Sequence, residues 1–309
     1  MNSAMNRITK KLIEMVANYH DGFDGAFSLR QNGLCIGIQS SDNIEIVAKT
    51  DRPGIDVYIK DGTKGETVYV PSCVTQGGVE DVVFNDYHVG ENCDVKIVSG
   101  CGVNTDDGLE AKHSGVHTFN IGKFSHVTYT ENHAGTGEGD GVRSINPSTK
   151  IILEEGAQLE IDATQISGVD IAARSTRAII NKDASLVIHE RLFTEKNQSV
   201  KTNFIVELNG EGSSADIVSR SVARDHSYQS TDSTIIGNAP CNGHSECDAI
   251  IGEEAIVDAS PRLFAHHKDA AMIHEAAIGK IAGEQILKLR TLGLSEEEAE
   301  NQIVNGFLS

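Results

Sequence analysis

Between about residues 27 and 260, apolar side chains recur at every second position. That period builds strands exposed on one face and excludes long amphipathic helices. Ile44, Ile46 and Ala48 alternate with polar neighbours, as do Val68 with Val70, Val95 with Ile97, and Phe204 with Val206 and Leu208. Turn-forming pairs, among them Asp61-Gly62, Gly77-Gly78 and Asn209-Gly210, interrupt the runs at close intervals. Thirty glycines suit so many turns, and with aromatic residues at only 5% and no tryptophan the core must be made of small aliphatic side chains. The region reads as all-β.

A weak internal repeat narrows the architecture. GENCDVKI, GKFSHVTY, EEGAQLEI, NKDASLVI and GEGSSADI each begin like a turn and continue as an alternating strand. Their last residues, Ile97, Tyr129, Ile161, Ile188 and Ile217, are 32, 32, 27 and 29 positions apart. A recurring unit that buries its apolar face only by stacking on its neighbours is a solenoid, here a β-helix. A β-sandwich has a similar number of short strands and stands as the alternative on pattern alone.

Both ends change character. From Met5 to His20, Ile8, Leu12, Met15, Val16 and Tyr19 fall near helical spacing. Glu14 and the lack of an unbroken apolar run argue against a signal peptide, so the expectation is a short helix on a cytoplasmic protein. Near the C-terminus, Ile278, Ile281, Ala282, Ile286, Leu289 and Leu292 share a helical face, and Gly293 follows where a helix-ending glycine belongs. Ser295 with Glu298 makes a capping box for a second helix carrying Ala299, Ile303 and Phe307 on one side. The expected organisation is a helix and linker over 1–25, a β core over 26–260 and a helical domain over 261–309. The terminal helices could cap the core or dock another protein.

Charge and motifs exclude several functions. With 26 basic against 45 acidic side chains the net charge is −19, which repels nucleic acids and anionic membranes. No apolar stretch approaches the roughly 18 residues of a membrane span. Neither a P-loop, a G-x-S-x-G elbow nor an H-E-x-x-H pair occurs, so no self-contained ATPase, serine hydrolase or zincin is indicated. Six cysteines, Cys35, Cys73, Cys93, Cys101, Cys241 and Cys247, are expected to be core thiols, metal ligands or reactive groups rather than disulfides. Cys241, His244 and Cys247 have C-x-x-H-x-x-C spacing, and thiolate with imidazole suits iron, zinc and iron–sulfur clusters. In an extended strand the two cysteines lie roughly 20 Å apart, so they share a metal only if Asn242-Gly243 makes a turn. His274-Glu275 pairs an imidazole with a carboxylate; the plain alternative is a glutamate in the first turn of a helix beside a solvated histidine. His266 and His267 read as loop residues, and His113, His117, His126 and His133 crowd one glycine-rich stretch without the spacing of a recognisable site.

Three segments carry a likeness to a known family. SRSVARDHS (219–227), PCNGHSECDAIIG (240–252) and HEAAIGKIAGEQILKLRTLGLSEEEAENQIVNGFL (274–308) resemble the SufB/SufD family, the non-ATPase subunits of the SUF iron–sulfur assembly machinery. The likeness extends through most of the chain from about residue 100. It implies a mainly β protein, a right-handed parallel β-helix with an N-terminal helix and a C-terminal helical domain. It also implies pairing of two such subunits through their β-helices, and docking of a SufC-like ABC-type ATPase by the helical domain, for which Ile286, Leu289, Leu292 and Phe307 are the candidate residues.

Matched position by position, the family's assembly cysteine corresponds to Cys247 in Glu246-Cys247-Asp248, and its histidine and glutamate correspond to His274 and Glu275. The resemblance implies Cys247 as thiolate anchor, Glu275 as iron ligand or base, and His274 as ligand or proton carrier. Cys241 and His244 are further candidate ligands with no role carried over. All three matched positions are SufB-like, which favours a scaffold that builds a cluster and passes it to apo-proteins over a SufD-like docking subunit. The chain is shorter than typical SufB and matches a minimal form in which a homodimer replaces the heterodimer. It is expected to be a scaffold rather than an enzyme. The remaining alternative, a β-helix enzyme on sugar or polyanionic polymers, calls for paired carboxylates flanking a long cleft, whereas the acidic residues here lie mostly in turns and aromatics to stack sugars are few.

Overall fold

In the computed structural model, residues 5–18 and 22–309 are described, the side chains of residues 166 and 167 excepted. The chain begins with helix α1 (Arg7–Ala17), followed by two antiparallel pairs. These are β1 (Ala26–Gln31) with β2 (Leu34–Gln39), and β3 (Ile44–Ala48) with β4 (Gly54–Ile59). Next come β5 (Lys64–Val74), β6 (Glu80–Val89), β7 (Asp94–Asn104), β8 (Ala111–Ile121), β9 (His126–Thr136), β10 (Arg143–Ile145), β11 (Ser148–Leu153) and β12 (Gln158–Ser167). They are followed by β13 (Ile171–Ile180), β14 (Ser185–Thr194), β15 (Ser199–Leu208), β16 (Ser213–Ala223), β17 (Tyr228–Gly237), β18 (Cys241–Ile251), β19 (Ile256–Ala265) and β20 (Ala270–Gly279). Helices α2 (Gly283–Thr291) and α3 (Glu296–Leu308) close the chain.

From β5 onward each strand pairs in parallel with the strand one full turn later, so successive strands fall in two different sheets. One sheet runs β2-β1-β5-β7-β9-β12-β14-β16-β18-β20; the other runs β19-β17-β15-β13-β10-β8-β6-β4-β3, with β11 continuing β10 between β8 and β13. This is a parallel β-solenoid, and the sandwich alternative falls because its sheets would be antiparallel.

The sequence repeat is the solenoid turn itself. Ile97, Tyr129, Ile161, Ile188 and Ile217 pair successively down one sheet as a single inward column. All five are at most 5% exposed, within one continuous core that draws on both sheets. At the corner before each of these strands, Asn92, Phe124, Gly156, Asp183 and Gly212 have left-handed φ between 55° and 75°. Their amides donate to the carbonyl oxygens of Lys123, Glu155, Lys182, Glu211 and Pro240 on the next turn, at 2.9–3.1 Å. The turns are therefore tied at the corner as well as along the sheets.

Helix α1 starts at Asn6, whose side chain accepts from the Thr9 amide at 2.7 Å. It lies on the outer face of the first sheet, where Leu12 and Val16 are fully buried. The approach depends on Gly100 and Gly102 of β7: a Cβ there would come within 2.6 Å of Val16 and 2.8 Å of Leu12. Tyr19 and His20, expected to extend this helix, lie outside the described residues.

Two C-terminal expectations are corrected. Residue 260 falls inside β19, and the solenoid continues to Gly279. Ile278 belongs to β20, where it pairs with Ala249, while Ile281 and Ala282 precede α2. Cross-strand hydrogen bonds to β18 take the backbone that a longer helix would have used. The capping box at Ser295 and Glu298 is present, and Gly293 has φ 99° after α2. Val304 and Leu308 of α3 pack on Val222 of the solenoid, with Phe307 and Ile281 against them.

Alongside the apolar column runs a buried polar file. Arg174 of β13 reaches Glu131 at 2.5 Å and Glu190 at 3.5 Å, and both carboxylates are at most 1% exposed. Burial opposes charge on Glu131, but Arg174 and His133 outweigh it and hold its carboxyl well below the usual range. For Glu190 burial prevails over the same arginine and raises the value. Glu190 also accepts from Thr202 at 3.0 Å and Ser219 at 2.9 Å. His117 and His133 line this file, Asp81 binds Arg30 and His113 elsewhere in the interior, and His126 lies outside between Asp94 and Glu160.

Arg174→Met should lower stability by ~3–5 kcal/mol, because two buried carboxylates lose their shared cation. The check is the urea midpoint; adding Glu131→Gln and Glu190→Gln to the variant should recover much of the loss. A second expectation concerns acid. Burial lowers the His117 imidazole from 6.5 to about 4, so between those values the unfolded chain binds a proton that the folded chain refuses. Stability should fall as pH drops through that window. In His117→Leu that part of the slope should disappear from pH-dependent unfolding curves.

Candidate functional site at the open end of the solenoid

Strands β18 and β20 are the last two members of the first sheet, and alternation decides which of their side chains meet. β18 is continuous from Cys241 to Ile251, so Asn242-Gly243 makes no turn. Cys241 and Cys247 both face inward but remain far apart along the strand. Cys241 is 3% exposed in the apolar core, and as a candidate ligand beside Cys247 it is ruled out by this geometry.

Cys247 follows Glu190 and Ser219 in the polar column. It lines a small crevice with Thr231, Ser233, Ala259, Pro261 and His274. His274 occupies the next inward rung after Ile217 and Ser245, the position where the apolar column ends. Its Nδ1 lies 3.1 Å from the Ser245 carbonyl oxygen. A carbonyl only accepts, so Nδ1 carries the proton, the tautomer that in a neutral ring turns Nε2 into the acceptor. Burial pushes the Cys247 thiol up to about 11, and the nearby Glu190 charge adds to the rise. At neutral pH it is a thiol, made reactive by a cation or by exposure.

Glu275, next to His274 in β20, faces the opposite side of the sheet with its side chain 66% exposed. It meets His244 there, with Nε2 3.5 Å from Glu275 Oε2, while His244 Nδ1 lies 2.7 Å from Asp216 Oδ1. The Asp216 hydrogen bond raises the His244 value above the ordinary one, against a smaller effect of burial. The structure thus brings Cys247 and His274 together inside and places Glu275 with His244 outside. The first-turn reading of Glu275 is overturned, since His274 and Glu275 lie in a strand. Asp216, absent from the sequence-based site, stands 28 residues before His244, one solenoid turn, and that repeat was the signal for it. His266 and His267 lie between β19 and β20, as expected of loop residues.

Beyond β19 and β20 no further strand pairs with the solenoid among the described residues. Ile256, Phe264, Ile273 and Ile278 on these last strands are 44–57% exposed. Of the residues considered for docking, Leu292 is 76% exposed, whereas Ile286 and Leu289 are half-buried and Phe307 packs against the solenoid. Leu287, which the helical pattern did not single out, is 62% exposed. No helix among the described residues is long and apolar enough to cross a membrane.

Residues 85–307, from within β6 to the last turn of α3, match the family described as "SUF system FeS cluster assembly, SufBD core domain". The chain belongs to the SufBD family. A SufBD family protein of Archaeoglobus fulgidus is 30% identical over 276 residues, 88% of this chain and 73% of the relative. One from Methanocaldococcus jannaschii is 28% identical over 281 residues, covering 88% and 87%. One from Methanothermobacter thermautotrophicus is 32% identical over 267 residues, covering 85% of this chain but 64% of its own length. All three are described as iron–sulfur cluster assembly SufBD family proteins. As a SufBD protein, this chain is linked to iron–sulfur cluster assembly, and Cys247, His274 and Glu275 acquire their interest from that link.

The raised thiol value has a direct consequence. Under native conditions at pH 7.5, exposed Cys35 should alkylate with iodoacetamide well before Cys247, and the Cys247 rate should climb as pH approaches about 11. Glu190→Gln should bring that rise to lower pH. Peptide-resolved mass spectrometry reads both.

Proposed function

We propose that this SufBD chain is an assembly scaffold: a cluster is built at the open end of its solenoid and passed to apo-proteins. The observation that carries the reading is the presence of Cys247 and His274 side by side at the last inward rungs, where the apolar column gives way to polar residues. On losing its proton, the Cys247 thiol anchors the growing cluster as a thiolate. His274, held through Nδ1 by the Ser245 carbonyl, serves as ligand or proton carrier. Glu275, across the same strand, supplies a carboxylate to iron or acts as base. The cluster is cargo, and no reaction other than its assembly is assigned to the chain.

A homodimer through the open ends of two solenoids accounts for the unpaired outer edges of β19 and β20 and the exposed apolar residues beside them. It would bring two copies of Cys247 and His274 toward one interface. The terminal helices dock a SufC-like ABC-type ATPase, with Leu292 as the exposed anchor, and ATP-driven rearrangement of the dimer opens the buried thiol. A cytoplasmic setting suits cysteines that form no disulfide in the structure.

The test is anaerobic reconstitution with ferrous iron and sulfide, in the presence of the ATPase partner. Wild-type protein should develop a broad absorbance near roughly 400 nm with bound iron and sulfide. Cys247→Ala and Glu275→Ala should abolish cluster formation without altering the circular dichroism spectrum. A double variant that still assembles a normal cluster and matures a client protein would refute the scaffold reading. Separately, Leu292→Asp should abolish co-purification with the ATPase; retained docking would remove the helices from that role.

A further inference from the structure

The outer face of the terminal strands carries a constellation separate from the interior thiol. In the β18–β20 ladder Glu246 stands directly opposite Glu275. Two carboxylates in that relation destabilise a sheet unless positive charge lies between them. Among the described residues neither makes an ion pair with lysine or arginine; Arg220 acts on Glu246 only at longer range and is the ladder partner of Asp248. His244 stands two residues before Glu246 on the same face and meets Glu275 at 3.5 Å.

His244 Nε2, one oxygen of Glu246 and one of Glu275 all lie within 4.8 Å of one another. One imidazole and two carboxylates, open to solvent on the other side, are donors suited to a divalent first-row transition metal that completes its shell with water. The half-buried Glu246 and the exposed Glu275 side chains need move only ~1 Å to reach bonding distance. Outside the trio, Asp216 accepts from His244 Nδ1 at 2.7 Å. Such a carboxylate fixes the tautomer that leaves Nε2 available and raises the basicity of the ring, as it does behind metal-ligating histidines.

We propose that His244, Glu246 and Glu275 form a mononuclear divalent-cation site on the outer face of the solenoid, with Asp216 as its positioning residue. The ion is ferrous iron, an assignment that rests on the assembly function proposed above; cation binding itself does not. Iron then binds at Glu275 on the outer face of the sheet whose inner face carries the Cys247 thiol.

The experiment is anaerobic calorimetric titration of the full chain with ferrous iron alone, no sulfide present, alongside cobalt(II) as a spectroscopic probe. Wild-type protein should bind one ion per chain, and cobalt should give visible d–d bands from a nitrogen–oxygen site. His244→Ala and Glu246→Gln should remove the bands and weaken binding by at least 10–100-fold, with the circular dichroism spectrum of the folded chain unchanged. Asp216→Asn should weaken binding by about 10-fold while keeping the one-ion stoichiometry and the bands. No binding at millimolar ion, or binding indifferent to His244→Ala and Glu246→Gln, overturns the site. If the ion binds as described but sulfide and the ATPase never yield a cluster, the scaffold reading fails and this site stands. If a cluster assembles equally well in both variants and no ion binds beforehand, the reverse holds.

Discussion

Parallel register is the constraint on which the rest of this molecule depends. Once a strand pairs in parallel with the strand one turn later, each inward side chain stacks on its counterpart, and the choice at one rung limits the next. The column from Ile97 to Ile217 shows this at its simplest: five apolar residues in register make one uninterrupted core. The same register carries less ordinary residues. Two positions further along each strand, it stacks Glu131, Ala163, Glu190, Ser219 and Cys247, so the thiol stands at the end of a line of buried polar groups.

That line is costly to maintain. Burying two carboxylates requires a cation placed between them, and Arg174 comes from the opposite sheet to provide it. Apolar residues at these rungs would fill the space more simply. Their absence leaves an interior in which burial, with the Glu190 charge adding to it, raises the Cys247 thiol. A thiol held back in this way reacts readily only once exposure or a nearby cation lowers its value.

Alternation sets the second division. Because consecutive residues in a strand point to opposite faces, His274 and Glu275 cannot serve one point within a single protomer. The solenoid wall separates an inner environment, with Cys247, His274 and Thr231, from an outer one with His244, Glu246, Glu275 and Asp216. Any chemistry using all three matched residues must bridge that wall, by rearrangement or by a second chain at the open end.

Much of this was already written in the sequence. Period-two alternation and the 27–32-residue repeat follow from the needs of a half-buried stacked strand, so they survive in the order of residues and mark the solenoid. The capping box at Ser295 and Glu298 is legible for the same reason, being a local hydrogen-bond pattern. The family likeness drew attention to Cys247, His274 and Glu275. Tertiary structure alone decided how those residues are arranged. Whether Cys241 meets Cys247 depended on a turn that β18 does not make, and whether Ile278 continues a helix depended on hydrogen bonds to a strand 29 residues earlier. The partnership of His244 with Asp216 and Glu275 likewise exists only across neighbouring turns. Spacing along a chain records which face a side chain takes; which side chain it then meets is set by the register of strands distant in sequence.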